Sequence, residues 1–441
     1  MALVPGGKYA PLFRGEKDAK EIAVAPFLLD ERPVTNGEFL TFVRENPKWQ
    51  RSQVKRLFAD ERYLAHWGGD LDLGKADAAQ PVTHVSWFAA KSFAAWRGKR
   101  LPTTIEWEFA AGAGFTIADG TKDPEFQKAV ARWYSTPSPD TLPSAGSGRA
   151  NIHGLRDLHG LVWEWTSDFN SAIVTGDARG DTGLERNLFC GAGSLGAKDT
   201  GNFPAFMRFG LRSSLKGQLH RPQPRFPLRQ RPVKILLTLI ALQSAVAISA
   251  EAPAAKKDAD LPPCCRAALA AGKPTDRSLY QLESTWTSDV GRKVKLGVLR
   301  GRPQIFAMFF SNCEYACPIL VNDMKKLEAT LPKDVLASVD FVLVSFDTKR
   351  DTPEALAAYR RKENLATGRW TLLHGENDDV RELAALLGVN YTADSRGQFA
   401  HSNVITVLNA EGEIAFQQVG LQKDLAPLVA AIGKLSGAAR R

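Results

Sequence analysis

The chain is poor in cysteine, with five in 441 residues: Cys190, Cys264, Cys265, Cys313 and Cys317. Four of those five lie in the second half. That is too few and too clustered for a disulfide-stapled scaffold, and it points to a chemical site instead. A clear membrane-length apolar run is also missing. The main candidate, residues 235–250, spans sixteen positions and is interrupted by Thr238, Gln243, Ser244 and Ser249, whereas a spanning helix needs about 20. Acidic residues are absent from residues 216–234, where Lys216, Arg221, Arg225, Arg229, Arg231 and Lys234 supply six of the nine excess positive charges. A nucleic-acid protein carries its basic face on a folded module, so the charge balance here argues against nucleic acid as a partner. What remains is 44% hydrophobic and 24% charged, an ordinary globular composition long enough for two or three domains.

The stretch "RPQPRFPLRQRPVKILLTLIALQSAVAISAEAPAAKKDADLPP" is the clearest boundary. It divides the chain into a first domain at 1–216, a linker with an apolar centre at 217–262, and a second domain at 263–441. A basic flank, an apolar centre and small residues ending "AVA" at 245–247 have the layout of a secretory signal or membrane anchor. The flanking linkers argue against the alternative, a buried core helix. Lys and Arg precede the run, so the positive-inside rule puts everything after residue 250 outside the cytoplasm. The expectation is a periplasmic or otherwise extracytoplasmic second domain, held at the inner membrane through residues 235–250. If the run stays as an anchor, the first domain remains cytoplasmic. The opening "MALVPGGKY" is already domain-like, which also fits a fusion of two neighbouring exported proteins.

The first domain holds eight of the ten tryptophans, with abundant glycine and proline. Helices are expected at 35–45 and 87–96, the second with Trp87, Ala90, Ala94 and Ala95 on one face. The rest reads as short strands and turns around large aromatic rings. The segments "PFLLDERPVTNGEFLTFV", "PVTHVSWFAAKSFAAWRGKRLPTTIEWEFAA", "NIHGLRDLHGLVWEWTSD" and "MRFGLRSS" occur in this order. They resemble formylglycine-generating enzyme-like (sulfatase-modifying factor) domains, which implies a C-type-lectin-related mixed α/β fold. Active members of that family use a copper-binding cysteine pair between a Gly-Gly-Ser segment and a final Arg-rich strand. The matching interval here, 191–212, has no cysteine, and Cys190 just before it has no partner nearby. Where the family places a calcium-binding Asn, this chain has Leu161, which offers no oxygen donor. The resemblance therefore implies a non-oxidase binding or accessory module; some such relatives accompany copper nitrite reductases in denitrification. His66, His84, His153 and His159 show no metal-site spacing and read as structural, with ligation by His153 and His159, which flank a turn, as the alternative.

In the second domain strands alternate with helices: strand "RPQIFAMFF", helix "PILVNDMKKLEATL", strand "VDFVLVSF", helix "TPEALAAYRRKENL", strand "WTLLHG" and helix "DDVRELAALLG". A hairpin, "SNVITVLNAEGEIAFQQVG", and a helix, "KDLAPLVAAIGKL", close it. This order fits a thioredoxin-like α/β layer fold. Cys313 and Cys317 sit where the first strand gives way to its helix, with Pro318 suited to a first helical turn. The helix starts either near Glu314 or at Pro318, and in both cases its positive end favours a thiolate at Cys313. If the turn is helical, residues four apart face the same way.

Two thiolates suit Cu(I), and copper also takes imidazole, which singles out His401 in "GQFAHSNVITVL". From spacing alone, a redox disulfide and a structural histidine stay open. The segments "FFSNCEYACPILVNDM", "VSFDTKRDTPEAL" and "FAHSNVITVLNAEGEI" resemble the Sco/SenC copper chaperone family. The departures at Ser311, Asn312, Glu314 and Ala400 remove no donor. The resemblance implies Cys313, Cys317 and His401 as ligands of Cu(I) or Cu(II). It also implies a metallochaperone that supplies a copper-containing respiratory enzyme: cytochrome oxidase, nitrous-oxide reductase or copper nitrite reductase. A thiol–disulfide oxidoreductase that keeps a target's copper-site cysteines reduced is the alternative. Asp347, Arg350 and Asp351 are expected to orient the site or dock a partner, or, for Asp351 with Thr352, simply to cap a helix. The adjacent Cys264 and Cys265 form a possible second thiol pair, for copper or thiol exchange, or else bridge to another chain or stay free.

Overall fold

The computed structural model describes residues 1–12, 19–136, 139, 141–171, 203–215, 228–230, 233–234, 274–393 and 397–438. Cys190, Cys264, Cys265 and the apolar run 235–250 lie outside them. Among the described residues no helix is long and apolar enough to cross a membrane.

The first domain is mixed α/β with short elements. Strands Ala2–Val4, Phe27–Leu29 and Lys99–Arg100 form a sheet with Val233–Lys234, so the segment expected as linker contributes backbone to this domain. Thr35 and Thr103 each begin a helix with a full capping box, to Glu38 and Glu106 respectively, which satisfies otherwise orphaned N–H groups. The helix Trp87–Trp96 matches its expected span, but Ala95 is exposed while Phe88, Ala89 and Phe93 are buried. The apolar face is wider than the alanine spacing implied because the aromatic residues also turn inward.

Aromatic rings build the core, and several bond the backbone through their polar edges. Trp87 Nε1 donates to Thr166 O at 3.0 Å and Trp165 Nε1 to Val85 O at 2.8 Å. His159 is packed among Trp107, Phe126 and Trp133, half-buried and bonded to Ala111 O at 2.9 Å. Burial pulls its pKa down to about 4. His66 bonds Asn36 Oδ1 at 3.0 Å and is likewise brought to about 4 by burial. Leu161 is buried apolar packing.

The end of the interval 191–212 lies on a helix, Phe203–Ser214. One helical turn brings Arg208 and Arg212 close enough to share a single carboxylate. Both bind Glu108, at 2.6 and 2.5 Å, in a cluster where all three side chains are at most 6% exposed.

The second domain is a seven-stranded sheet in the order Lys293–Val294, Trp286–Ser288, Trp370–His374, Asp340–Ser345, Gln304–Phe309, Val404–Leu408, Ile414–Val419. Trp370–His374, Asp340–Ser345 and Gln304–Phe309 are parallel, and their neighbours on both sides are antiparallel. Every position of Gln304–Phe309 and Asp340–Ser345 is buried, as expected of central strands covered on both faces. The fold is thioredoxin-like, as the strand–helix alternation implied. The helix that follows Cys313 and includes Cys317 runs Ala316–Thr330, starting between the two expected positions. Pro318 is its third residue, where the N–H that proline lacks would have no intrahelical acceptor. An unexpected small hairpin pairs Tyr391–Ala393 with Phe399–His401, so His401 stands on a strand.

Candidate metal centre

The site lies at the carboxyl ends of two adjacent parallel strands, where open α/β sheets place their ligands. The loop after Gln304–Phe309 carries the cysteines, and the loop after Asp340–Ser345 carries the carboxylates. The first loop turns back on itself, with Cys313 N–H donating to Phe310 O at 3.4 Å. Cys313 lies outside the helix, so helical periodicity does not align the sulfurs. Instead, Cys313 Sγ accepts the helix-terminal N–H of Cys317 at 3.3 Å. Phe310 N–H donates to Cys317 Sγ at 3.5 Å, and Cys317 Sγ lies 3.3 Å from His401 Nε2. His401 Nδ1 faces Ser402 O at 3.2 Å. A carbonyl only accepts, so Nδ1 carries the hydrogen and Nε2 turns its lone pair to the sulfurs.

The donor atoms of Cys313, Cys317 and His401 all lie within 4.8 Å of one another, the only such group of three among the described residues. Both thiols are free; Cys317 and His401 are buried and Cys313 is half-exposed. Hydrogen bonds from the Cys317 thiol and two backbone N–H groups draw the Cys313 pKa down to about 4, against the effect of burial. Burial, followed by the neighbouring Cys313, pushes the Cys317 thiol up. One thiolate thus faces solvent beside one buried thiol. Two sulfurs and an imidazole fit copper, and binding releases the Cys317 proton. Iodoacetamide is therefore expected to label Cys313 at a rate that is flat across neutral pH. Peptide mass spectrometry would show a rate climbing toward about pH 8.5, the ordinary thiol pKa, if the thiolate were not preformed.

The carboxylates support both sides of the donor set. Asp351 is fully buried; it accepts from Ser311 N–H at 2.9 Å and from the Ser311 and Ser345 hydroxyls. It therefore ties the cysteine loop to the second strand and does not cap the following helix; Thr352 does that, through Ala355 N–H at 3.3 Å. Asp347 accepts from the N–H groups of Lys349 and Arg350 at 3.3 and 3.1 Å and pairs with the Arg350 guanidinium. Arg350 also donates to Gly397 O, just before the His401 strand. Gly397 has φ +72°, a left-handed conformation that suits glycine. The reach of Arg350 across to the histidine strand was not visible in the sequence. Asp351→Ala leaves three donors without their acceptor, at about 1–3 kcal/mol for each buried orphan. Loss of an outer-shell group also costs about 10–100-fold in metal affinity. Thermal unfolding and a copper competition titration read both effects.

The fold and the donor set define a class: a thioredoxin-like domain with a dithiol–imidazole group at its strand–helix turn, joined to a tryptophan-rich α/β domain. The chain belongs to the formylglycine-generating enzyme family through residues 1–218, which match the sulfatase-modifying factor enzyme 1-like domain, and carries a SCO1/SenC domain at residues 273–435. The first part is 33% identical over 218 residues to "Inactive C-alpha-formylglycine-generating enzyme 2" of Bos taurus, covering 38% of this chain and 70% of that protein. It is 35% identical over 175 residues to "Serine/threonine-protein kinase pkn1" of Chlamydia caviae, covering 38% of this chain and 28% of that protein. The second part aligns with the solved SCO1/SenC family lipoprotein of Bacillus anthracis str. Ames. That alignment has 24% identity and a TM-score of 0.34, over 38% of this chain and 99% of the other.

Proposed function

We propose that the chain is a copper metallochaperone, with Cys313, Cys317 and His401 as the ligands of one copper ion. The observation that carries this reading is the convergence of two sulfurs and an imidazole nitrogen within 4.8 Å. Cys313 is half-exposed, which lets a partner's thiolates enter and take the ion by ligand exchange. A copper-containing respiratory enzyme, with a cytochrome-oxidase, nitrous-oxide-reductase or nitrite-reductase centre, is the proposed recipient. On this proposal both domains work in the periplasm or another extracytoplasmic space, which favours the reading of the chain as a fusion of two exported proteins. The first domain acts as a non-oxidase accessory module: a buried Leu161 stands where the resemblance puts a calcium ligand, and a relative named inactive matches this region.

A second reading, thiol–disulfide exchange, is supported by the Cys313 thiolate lying beside the Cys317 thiol. A transfer assay separates the two. The Cu(I)-loaded full chain is mixed with an apo binuclear-copper fragment of cytochrome oxidase, once with its cysteines reduced and once with them oxidised. The chaperone delivers copper to the reduced fragment, and His401→Ala abolishes delivery. Reduction of the oxidised fragment by both proteins, without copper transfer by either, would overturn the chaperone reading.

A further inference from the structure

The two domains meet at a point that leads directly to His401. Directly after the strand Trp163–Trp165, the turn Phe169–Ser171 of the first domain places Asn170 against the second. Asn170 is 2% exposed. Its Nδ2 donates to Val389 O at 3.1 Å, and its Oδ1 accepts from Arg381 Nη1 at 3.1 Å. Both ends of this buried amide are therefore satisfied by the other domain. The Arg381 guanidinium in turn lies 4.1 Å from the centroid of the Tyr391 ring. Tyr391 is the direct cross-strand partner of His401. Its ring stacks on Phe346 at 4.7 Å, and Phe346 packs against the His401 ring at 5.1 Å. Val389, Tyr391 and Phe346 thus form the frame that sets where the imidazole stands, and Asn170 holds that frame from outside.

A second contact fixes the same helix, Asn377–Leu387: Lys91 of the first domain pairs with Glu382 at 3.0 Å and with Asp378 at 3.4 Å. The turn that carries Asn170 is itself rigid, since Phe169 packs on Trp165 at 5.0 Å and on Trp87 at 5.7 Å. The first domain therefore presents a fixed surface to the hairpin.

We propose that Asn170 and Arg381 are positioning residues for the metal site, through which the docked first domain holds the His401 strand in ligating register. The inference rests on the reading of His401 as a copper ligand. Docking of this kind requires both domains in one compartment. A topology with the first domain cytoplasmic and the second exported would leave the amide of Asn170 without these partners.

The test uses the full chain loaded with copper, comparing Asn170→Ala, Arg381→Gln and His401→Ala by Cu(I) competition and by nitrogen hyperfine coupling in the Cu(II) electron paramagnetic resonance spectrum. Loss of an outer-shell orienting group costs about 10–100-fold in affinity, so Asn170→Ala and Arg381→Gln should each fall in that range and perturb the nitrogen coupling. Adding either change to His401→Ala should weaken binding no further, because both act through that ring. If Asn170→Ala fails to fold, Arg381→Gln, which leaves the first domain intact, carries the test alone. Wild-type affinity and nitrogen coupling in both variants, with His401→Ala weakened, would overturn this inference and leave the chaperone reading standing. Wild-type binding by His401→Ala would remove both.

Discussion

His401→Ala is expected to lower Cu(I) affinity by more than the about 100-fold that bounds outer-shell effects, and to convert the site into a plain dithiol. The imidazole is one of three donors within 4.8 Å, and its free nitrogen faces the Cys317 sulfur at 3.3 Å. Its removal leaves two sulfurs and a vacancy. A dithiol still retains some Cu(I), since thiolates are the softer donors, but loses Cu(II), which depends on the nitrogen. Cys313→Ser and Cys317→Ser should each be more severe for Cu(I), because a hydroxyl is a hard, neutral donor in place of a thiolate. Competition against a Cu(I) chelator of known affinity measures all three. Equal affinities for wild type and His401→Ala would remove the histidine from the site.

Glu108→Gln is expected to destabilise the first domain by about 3–5 kcal/mol, the cost of breaking a buried ion pair by removing one partner. The change keeps the shape and deletes the charge, leaving Arg208 and Arg212 buried without compensation. Arg208 holds Glu108 through Nε at 2.9 Å and Nη2 at 2.6 Å, and Arg212 adds a bond at 2.5 Å. The two guanidinium groups also lie 5.3 and 4.9 Å from the Trp107 ring centroid, so the whole packing unit depends on this carboxylate.

The same cluster sets a pH dependence. Burial acts to raise the Glu108 pKa, but the charges and hydrogen bonds of Arg208 and Arg212 outweigh it and bring the pKa from 4.5 down to about 2. A carboxyl whose folded pKa is depressed contributes stability that is present above its unfolded value and lost as pH falls toward the folded one. The first domain should therefore lose this contribution between about pH 4.5 and 2, and Glu108→Gln should show no such loss in that window. Tryptophan fluorescence follows the unfolding well, since eight of the ten tryptophans belong to this half. An unchanged denaturation midpoint in Glu108→Gln would show that the cluster is not structural.

The elements most legible in the sequence are those whose physics is local. Gln304–Phe309 and Asp340–Ser345 stand out through the apolar runs 305–309 and 341–344, and the helix after Thr35 forms where it was expected; the helix Thr104–Ala111, with its capping box at Thr103, lies in a stretch read as strands and turns. Cys313, Cys317 and His401 could be singled out because few other residue types ligate soft metals, although the last two are 84 positions apart. What stayed hidden depends on distant partners. The Tyr391–Ala393 and Phe399–His401 strands have three residues each, too short to announce themselves without the pairing that makes them. Asp351 looks like a helix cap because it precedes Thr352 and Pro353, and only the fold brings Ser311, 40 positions away, onto its carboxylate. Arg208 and Arg212 have their shared acceptor about a hundred residues earlier, at Glu108. The contact between Asn170 and Arg381 joins residues 211 apart in different domains, with no signature in either stretch of sequence.

Copper K-edge X-ray absorption on the Cu(I)-loaded full chain tests the central claim most directly. The expected spectrum shows one copper with two sulfur neighbours and one imidazole nitrogen, the imidazole multiple-scattering signal vanishing in His401→Ala. A sulfur-only shell in the wild type, unaltered by replacing Cys313 and Cys317 with serine, would contradict it by placing the copper elsewhere.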